Sequence, residues 1–191
     1  MLNLCLQACS GNFIRHERRK KNNRFKEISK KIAEEYSYKC RYCNMLCENW
    51  YDIVNIDGDY KNNKSSNLAI ACKICSQCLL LDQYGVDYSG EDKLIYLPEL
   101  NQVELNIIMV AMAEIACSTN NKSVDKDRVL SAKTVYSSLS ERSELLSKIY
   151  QIDMSRPALF SFISNESLKA SELVSSIRIL FSLNKVSGLI S

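Results

Sequence analysis

Apolar and polar positions change rhythm several times along this chain, and each rhythm predicts an element. Leu2, Leu4, Leu6 and Ala8 alternate with less apolar residues, the period-two pattern of a half-buried strand over 2–8. A basic stretch then runs into a helix predicted over 24–38, with Phe25, Ile28, Ile32 and Ala33 at helical spacing. Residues 50–56 are rich in aromatic and β-branched side chains, which predicts a strand. Asp57-Gly58-Asp59 and the run from Asn62 to Asn67 are turn and loop residues. A helix is expected to open near Cys72 and to carry Cys75, Cys78 and Leu79 to Leu81.

Past a polar loop over 82–92, residues 93–97 read as a strand stopped by Pro98. The chain then turns helical. Asn101 with Glu104 three residues on has the form of a capping box, ahead of a helix over 102–117 that is apolar on most sides and therefore expected to be central. A polar loop over 118–123 separates it from helices near 125–139 and 141–151. Ser155-Arg156-Pro157 starts another helix, since proline is tolerated in a first turn. A last helix is predicted over 167–183, with Leu173, Val174, Ile177, Leu180 and Phe181 on one face. The fold class is therefore α+β. Residues 1–98 are expected to form a cysteine-bearing α+β module, and 99–191 a helical part packed against it.

With 191 residues, 46% of them hydrophobic, the chain can bury a core of this size, and five glycines with two prolines argue against a long disordered linker. The longest apolar run, from Ile107 to Ala113, is too short for a membrane span. Leu6-Gln7-Ala8-Cys9 has the outline of a lipoprotein cleavage site, but no charge and no useful apolar stretch precedes it, so no signal peptide is expected. The net charge of +3 is uneven: residues 15–31 hold nine basic residues against Glu17 and Glu27, which leaves −4 on the remainder. Such a stretch suits a nucleic acid, an anionic lipid surface or an acidic peptide; the plainer reading is a solvated helix start.

Cysteine usage changes the picture most. Six of the nine cysteines lie within 39 residues. In a chain without an export signal, C-x2-C pairs read as metal ligands rather than disulfides, and a reducing cytoplasm is the expected compartment. Zinc takes four thiolates tetrahedrally, and a two-residue spacer lets one tight turn aim two sulfurs at one ion. Cys40-Arg41-Tyr42-Cys43 and Cys72-Lys73-Ile74-Cys75 form two such knuckles, and Cys40, Cys43, Cys72 and Cys75 are assigned to one structural zinc. Two alternatives stay open. Cys75-Ser76-Gln77-Cys78 is a further C-x2-C, and Cys47 lies four residues beyond Cys43; Asn67-Leu68, five residues before Cys72, favours the 72/75 pair. Cys5, Cys9 and Cys117 are expected in the core.

Two knuckles with an intervening Asn-Leu resemble the zinc-bound ββα scaffold of HNH nucleases. A nuclease of that kind needs a histidine base and a second metal. The histidine slot falls near Asn55 and the second-metal slot on Ser76, a weak ligand; asparagine cannot act as a base. The one histidine, His16, lies outside the motif in the basic stretch, where a surface position is expected. Asn55, Asp57 and Asp59 alternate as a calcium loop would begin, but the sixth and twelfth positions hold Tyr60 and Ser66, so these residues are read as turn formers. A weak magnesium site from Asp57 and Asp59 is the residual alternative.

Tyr51-Asp52-Ile53-Val54-Asn55-Ile56-Asp57-Gly58-Asp59-Tyr60, then Asn62-Asn63, Ser66-Asn67-Leu68, Cys72-x2-Cys75-x-Gln77-Cys78, and Leu94-Ile95-Tyr96-Leu97-Pro98-Glu99-Leu100 with Glu104-Leu105-Asn106 resemble the IcmJ (DotN) family of the Dot/Icm type IVB secretion system. The resemblance is dense over 36–106. It is collinear beyond, through Tyr136, Arg142 and Pro157-Ala158, and weakest over the first 35 residues. It implies a degenerate HNH-like fold holding zinc, with the family's zinc cysteines carried onto Cys40, Cys43, Cys72 and Cys75, and no nuclease activity. It further implies membership of the coupling complex at the cytoplasmic face of the inner membrane. The implied partner is the C-terminal tail of the coupling ATPase with its adaptors. The partner-binding residues are not carried over, and the end at Ser191 is expected to omit a terminal segment seen in relatives. The alternatives are a divergent HNH endonuclease and a non-catalytic nucleic-acid-binding zinc module; nucleic acid is not the expected partner.

Overall fold

A β-hairpin followed at once by a helix forms the centre of the N-terminal part. In the computed structural model, which describes residues 1–85, 90–117, 125–151, 153, 155–161 and 171–190, the chain divides into two compact units, Met1–Gly85 and Val86–Ser191. In the first, β1 (Tyr51–Asn55) pairs antiparallel with β2 (Leu68–Cys72), Tyr51 opposite Cys72 and Asn55 opposite Leu68. Every residue of β2 is buried, as its apolar sequence Leu-Ala-Ile-Ala-Cys requires. α3 (Lys73–Cys78) begins on the next residue, with Cys72 as its N-cap. The sequence pattern led up to β1 and α3 but assigned no separate strand to 68–72.

The basic stretch is a helix of its own. α1 (Asn12–Lys20) precedes α2 (Asn23–Glu35), and the Asn22 side chain accepts from Phe25 N to cap α2. Gly11, at φ +80°, offers α1 no side-chain cap; Asp82 accepts from Phe13 N at 2.9 Å and supplies the missing acceptor from across the unit. Gly58, at φ +73°, turns the chain after β1, and its carbonyl accepts from the Asn12 side chain at 2.7 Å.

The strand expected over 2–8 is absent. The alternation is real in burial, since Leu4 is buried while Asn3 and Cys5 are exposed. Among the described residues no strand runs alongside, however, and the segment is held by isolated bonds: Leu2 N to Arg41 O, Gln7 N to Cys78 O, and Leu81 N to Gln7 O. A period-two pattern reports a half-buried extended chain; a strand also needs a ladder.

In the second unit β3 (Lys93–Tyr96) pairs antiparallel with β4 (Ile177–Leu180), Lys93 opposite Leu180 and Tyr96 opposite Ile177. The helix predicted over 167–183 is therefore replaced, within the described residues, by α7 (Ser171–Ser175), β4 and α8 (Leu183–Ile190); residues 167–170 lie outside them. Ile177 and Ile179 satisfy a period of two as well as Leu173, Val174, Ile177 and Leu180 satisfy 3.6, and pairing with β3 decides between them. It is this pairing that sets 93–96 in the second unit, although the sequence pattern grouped it with the first.

α4 (Gln102–Cys117) begins and ends where its capping box and polar flank indicate. Asn101 N donates to Glu104 Oε2 at 2.7 Å and Glu104 N to Asn101 Oδ1 at 3.0 Å. Its inner face is Leu105, Asn106, Met109, Met112 and Ala113, while Ile107 and Ile108 stay exposed, so the helix is less enclosed than its composition implies. The buried Gln102 amide bridges to β4, accepting from Ile179 N at 2.9 Å and donating to Ile179 O at 3.0 Å. α5 (Lys126–Glu141) and α6 (Ser143–Tyr150) follow as expected. Pro157 opens a 3₁₀ turn through Leu159 that continues into Phe160 and Ser161; its continuation and the loop expected over 118–123 lie outside the described residues.

Candidate metal centre

Two local turns aim the sulfurs. In the first knuckle Asn44 takes φ +61° and its N–H donates to Cys40 O at 2.9 Å, while Tyr42 N points at Cys40 Sγ at 3.4 Å. In the second, Cys75 N points at Cys72 Sγ at 3.4 Å across the first turn of α3. Arg41 N donates to Ile70 O at 2.9 Å and ties the first knuckle to β2, which carries the second. The result brings together the four cysteines assigned from spacing. Cys40, Cys43, Cys72 and Cys75 are all buried, and their sulfurs lie within 4.8 Å of one another. Cys43 Sγ and Cys72 Sγ are 3.7 Å apart, and a tetrahedral ion with bonds of roughly 2.3 Å places its sulfurs about 3.8 Å apart.

Chemically the donor set is closed and soft. Hydrogen bonds from Cys43, then Cys72 and Cys75, favour the Cys40 thiolate. The same contacts, led by that with Cys40, push the Cys72 and Cys75 thiols well up. Left to itself the cluster resists full ionisation; a divalent cation at its centre would reverse that balance. Four buried thiols so placed can hold a metal ion such as zinc. The neighbouring cysteines stand apart from this group. Cys47 donates to Tyr38 O at 3.2 Å, and burial, then the charges of Cys40 and Cys43, push it up to about 12. Cys78 donates to Ile74 O at 3.3 Å. Cys5 and Cys9 are exposed and Cys117 half-buried, contrary to the core positions expected of them.

A second cluster lies in the same unit, and there the sequence reading needs correction. His16 is 1% exposed, not a surface residue. Asn12, His16 and Arg19 fall at i, i+4 and i+7, so α1 turns a polar stripe inward. Arg19 donates to Asn55 Oδ1 and Ile53 O, and to Asn63 Oδ1 at 3.0 Å, with its guanidinium over the Phe25 and Tyr60 rings at 4.6 and 4.7 Å. Burial lowers it to about 10, against the pull of Tyr60 and Asp52. The Asn55 amide is fully committed, its nitrogen donating to Asp59 O at 3.0 Å and Asn62 O at 2.6 Å.

His16 Nδ1 lies 3.3 Å from Arg19 Nη2. A guanidinium can only donate, so Nδ1 accepts and the ring hydrogen sits on Nε2. Nε2 faces Asp52 Oδ1 at 3.4 Å. Lys20 Nζ approaches the same oxygen at 3.1 Å, and Ser76 Oγ donates to Asp52 Oδ2 at 2.8 Å. The two slots named from sequence, Asn55 and Ser76, thus both face groups delivered by α1 and β1. The polar stripe was the available signal; inward polar residues within a basic run are easily taken for surface.

Burial raises the Asp52 carboxyl, but His16, the Lys20 charge and the Ser76 hydroxyl outweigh it and hold the group well below the ordinary carboxylate range. A depressed carboxyl contributes stability above its unfolded value, about pH 4, and loses it as pH falls through its folded value. Asp52→Asn should cost about 2 kcal/mol at neutral pH, and the difference between parent and variant should shrink below about pH 4. Urea titrations of both proteins across that range check this, and the parent-minus-variant difference separates Asp52 from any thiol protonation common to both.

No protein-family model matches the chain. Type 4 apparatus protein DotN of Legionella pneumophila is 36% identical over 184 residues, covering 93% of this chain and 82% of that protein. At 93% of the chain, the alignment spans most of the described residues of both units. At this identity over most of both sequences, the chain belongs to the DotN family.

Proposed function

We propose that this chain is a non-catalytic, zinc-stabilised structural component of a type IVB secretion coupling complex, in which it binds the C-terminal tail of the coupling ATPase. The observation that carries this reading is a closed four-thiol cluster in a member of the DotN family. A site with all four positions taken by protein has none for substrate, so its ion would act on folding. Cys40, Cys43, Cys72 and Cys75 would hold one zinc, and the hairpin with its following helix, a knuckle at each end, suits a degenerate HNH-like module. The arrangement around Asn55 and His16 supports a non-catalytic role. Asn55 is fully hydrogen-bonded, and the His16 lone pair is directed at a guanidinium rather than at water. The complex would lie at the cytoplasmic face of the inner membrane, with adaptor proteins on the same tail.

The test is direct. The full chain mixed with the purified ATPase tail should co-elute in size exclusion as a stable complex, with one zinc per chain by elemental analysis. Separate elution at micromolar concentration, or magnesium-dependent cleavage of DNA by the purified chain, would overturn the reading.

A further inference from the structure

α1 and α2 sort their cations into two sets. Arg19 points inward and is consumed by the hydrogen bonds already described, while Arg18, Lys20, Lys21, Arg24, Lys26, Lys30 and Lys31 are all exposed. Lys20 is engaged by Glu17 and Asp52, and Lys30 approaches Glu34 at 3.8 Å. Arg18, Lys21, Arg24, Lys26 and Lys31 have no acidic partner among the described residues. The inward stripe of Asn12, His16 and Arg19 fixes the rotation of α1, so its opposite side is committed to solvent. On that side Ile14, 62% exposed, stands at i, i+4 and i+7 with Arg18 and Lys21.

We infer that the exposed side of α1, continued by Arg24 at the start of α2, is a docking surface for anionic lipid headgroups, with Ile14 entering the acyl boundary and Arg18, Lys21 and Arg24 lying over the headgroups. Two features favour a lipid surface over nucleic acid. No aromatic ring of α1 or α2 is exposed, so the face offers no platform for stacking bases: Phe13 and Phe25 are half-buried and His16 is buried. An exposed isoleucine in line with cations has a use in hydrocarbon and none along a phosphate backbone. Exposed Glu27, Glu34 and Glu35 offset the lysines farther along α2, so the attraction rests on Arg18, Lys21 and Arg24. No helix among the described residues is long and apolar enough to cross a membrane, so the association would be peripheral and salt-sensitive.

Vesicle flotation of the full chain tests this independently of the ATPase-tail reading. The protein should float with phosphatidylglycerol-containing vesicles at low salt, remain behind with pure phosphatidylcholine, and be released at high salt. Each exposed cation is expected to contribute about fivefold to the partition, so the triple variant Arg18→Gln, Lys21→Gln, Arg24→Gln should lose on the order of 100-fold. All three side chains are solvent-facing, and an unchanged thermal midpoint and metal content would show that the variant is folded. Ile14→Ser should weaken flotation without changing its salt dependence. Equal flotation with neutral vesicles, no flotation at low salt, unaltered flotation of the folded triple variant, or tighter retention on duplex DNA at the same salt would overturn the inference.

Discussion

Cys72→Ser should unfold the N-terminal unit and abolish its metal content. Cys72 is fully buried, ends β2 opposite Tyr51, caps α3, and presents its sulfur to Cys43 and to the amide of Cys75. One side chain therefore joins strand, helix and cluster. Structural zinc sites contribute about 10–16 kcal/mol of apparent binding free energy in small metallo-domains. A domain's net stability is only about 5–15 kcal/mol. Losing one of four ligands and leaving three buried thiols around a weakened site is expected to exceed the whole margin of a unit of 85 residues. Limited proteolysis should then cut within residues 1–85 first, near-ultraviolet dichroism should fall, and chelator treatment of the parent should reproduce both effects. Cys47→Ser, whose thiol lies outside the cluster, should keep the metal. A Cys72→Ser protein with parental protease resistance would sink the zinc proposal.

Arg19→Ala carries the second largest expected effect, a loss of about 3–5 kcal/mol, because it removes one partner from a buried polar network and leaves the others unsatisfied. Asn55 Oδ1, Asn63 Oδ1, the Ile53 carbonyl and His16 Nδ1 all face this guanidinium, and the Phe25 and Tyr60 rings stack on it. Lysine should rescue little, since one ammonium cannot span the forked acceptors or cover two rings. The neighbouring exposed residue supplies the control: Arg18→Ala should fall within about 0.5 kcal/mol of the parent. Equilibrium urea unfolding of the three variants decides the matter, and equal midpoints for Arg18→Ala and Arg19→Ala would refute the account of α1 as pinned by its inward stripe.

The contrast between these two clusters shows what a sequence discloses. The thiol cluster was legible because two-residue spacing lets one turn aim two sulfurs at one point and Asn67-Leu68 favoured Cys72/Cys75 over the equally spaced Cys75/Cys78, and the structure gathers the four sulfurs so assigned. The capping box of α4 was legible for the same reason: Asn101 and Glu104 meet only if a helix begins between them. The cluster around Arg19 was not legible. Its members come from α1, α2, β1 and the loop after β1, and a buried arginine has the same letter as a solvated one. β4 was missed because four apolar-rich residues fit two periods equally, and its partner β3 lies far upstream. The first eight residues were half-legible: their inward side was right, but no local signal reveals whether a ladder awaits them.

The pairing of β3 with β4 has a consequence for how this protein is made. Lys93 leaves the ribosome long before Leu180 exists to receive it, so the sheet of the second unit cannot close until almost all of that unit has been synthesised. Until then Leu94, Ile95 and the Gln102 amide lack the strand that covers them. The first unit has every residue of its hairpin and both knuckles early, so folding should be vectorial, with the nascent metal module formed while β3 still awaits its mate. Translation stalled before Ile177 should yield a chain that already binds metal and yet is held by chaperones through its exposed β3 edge.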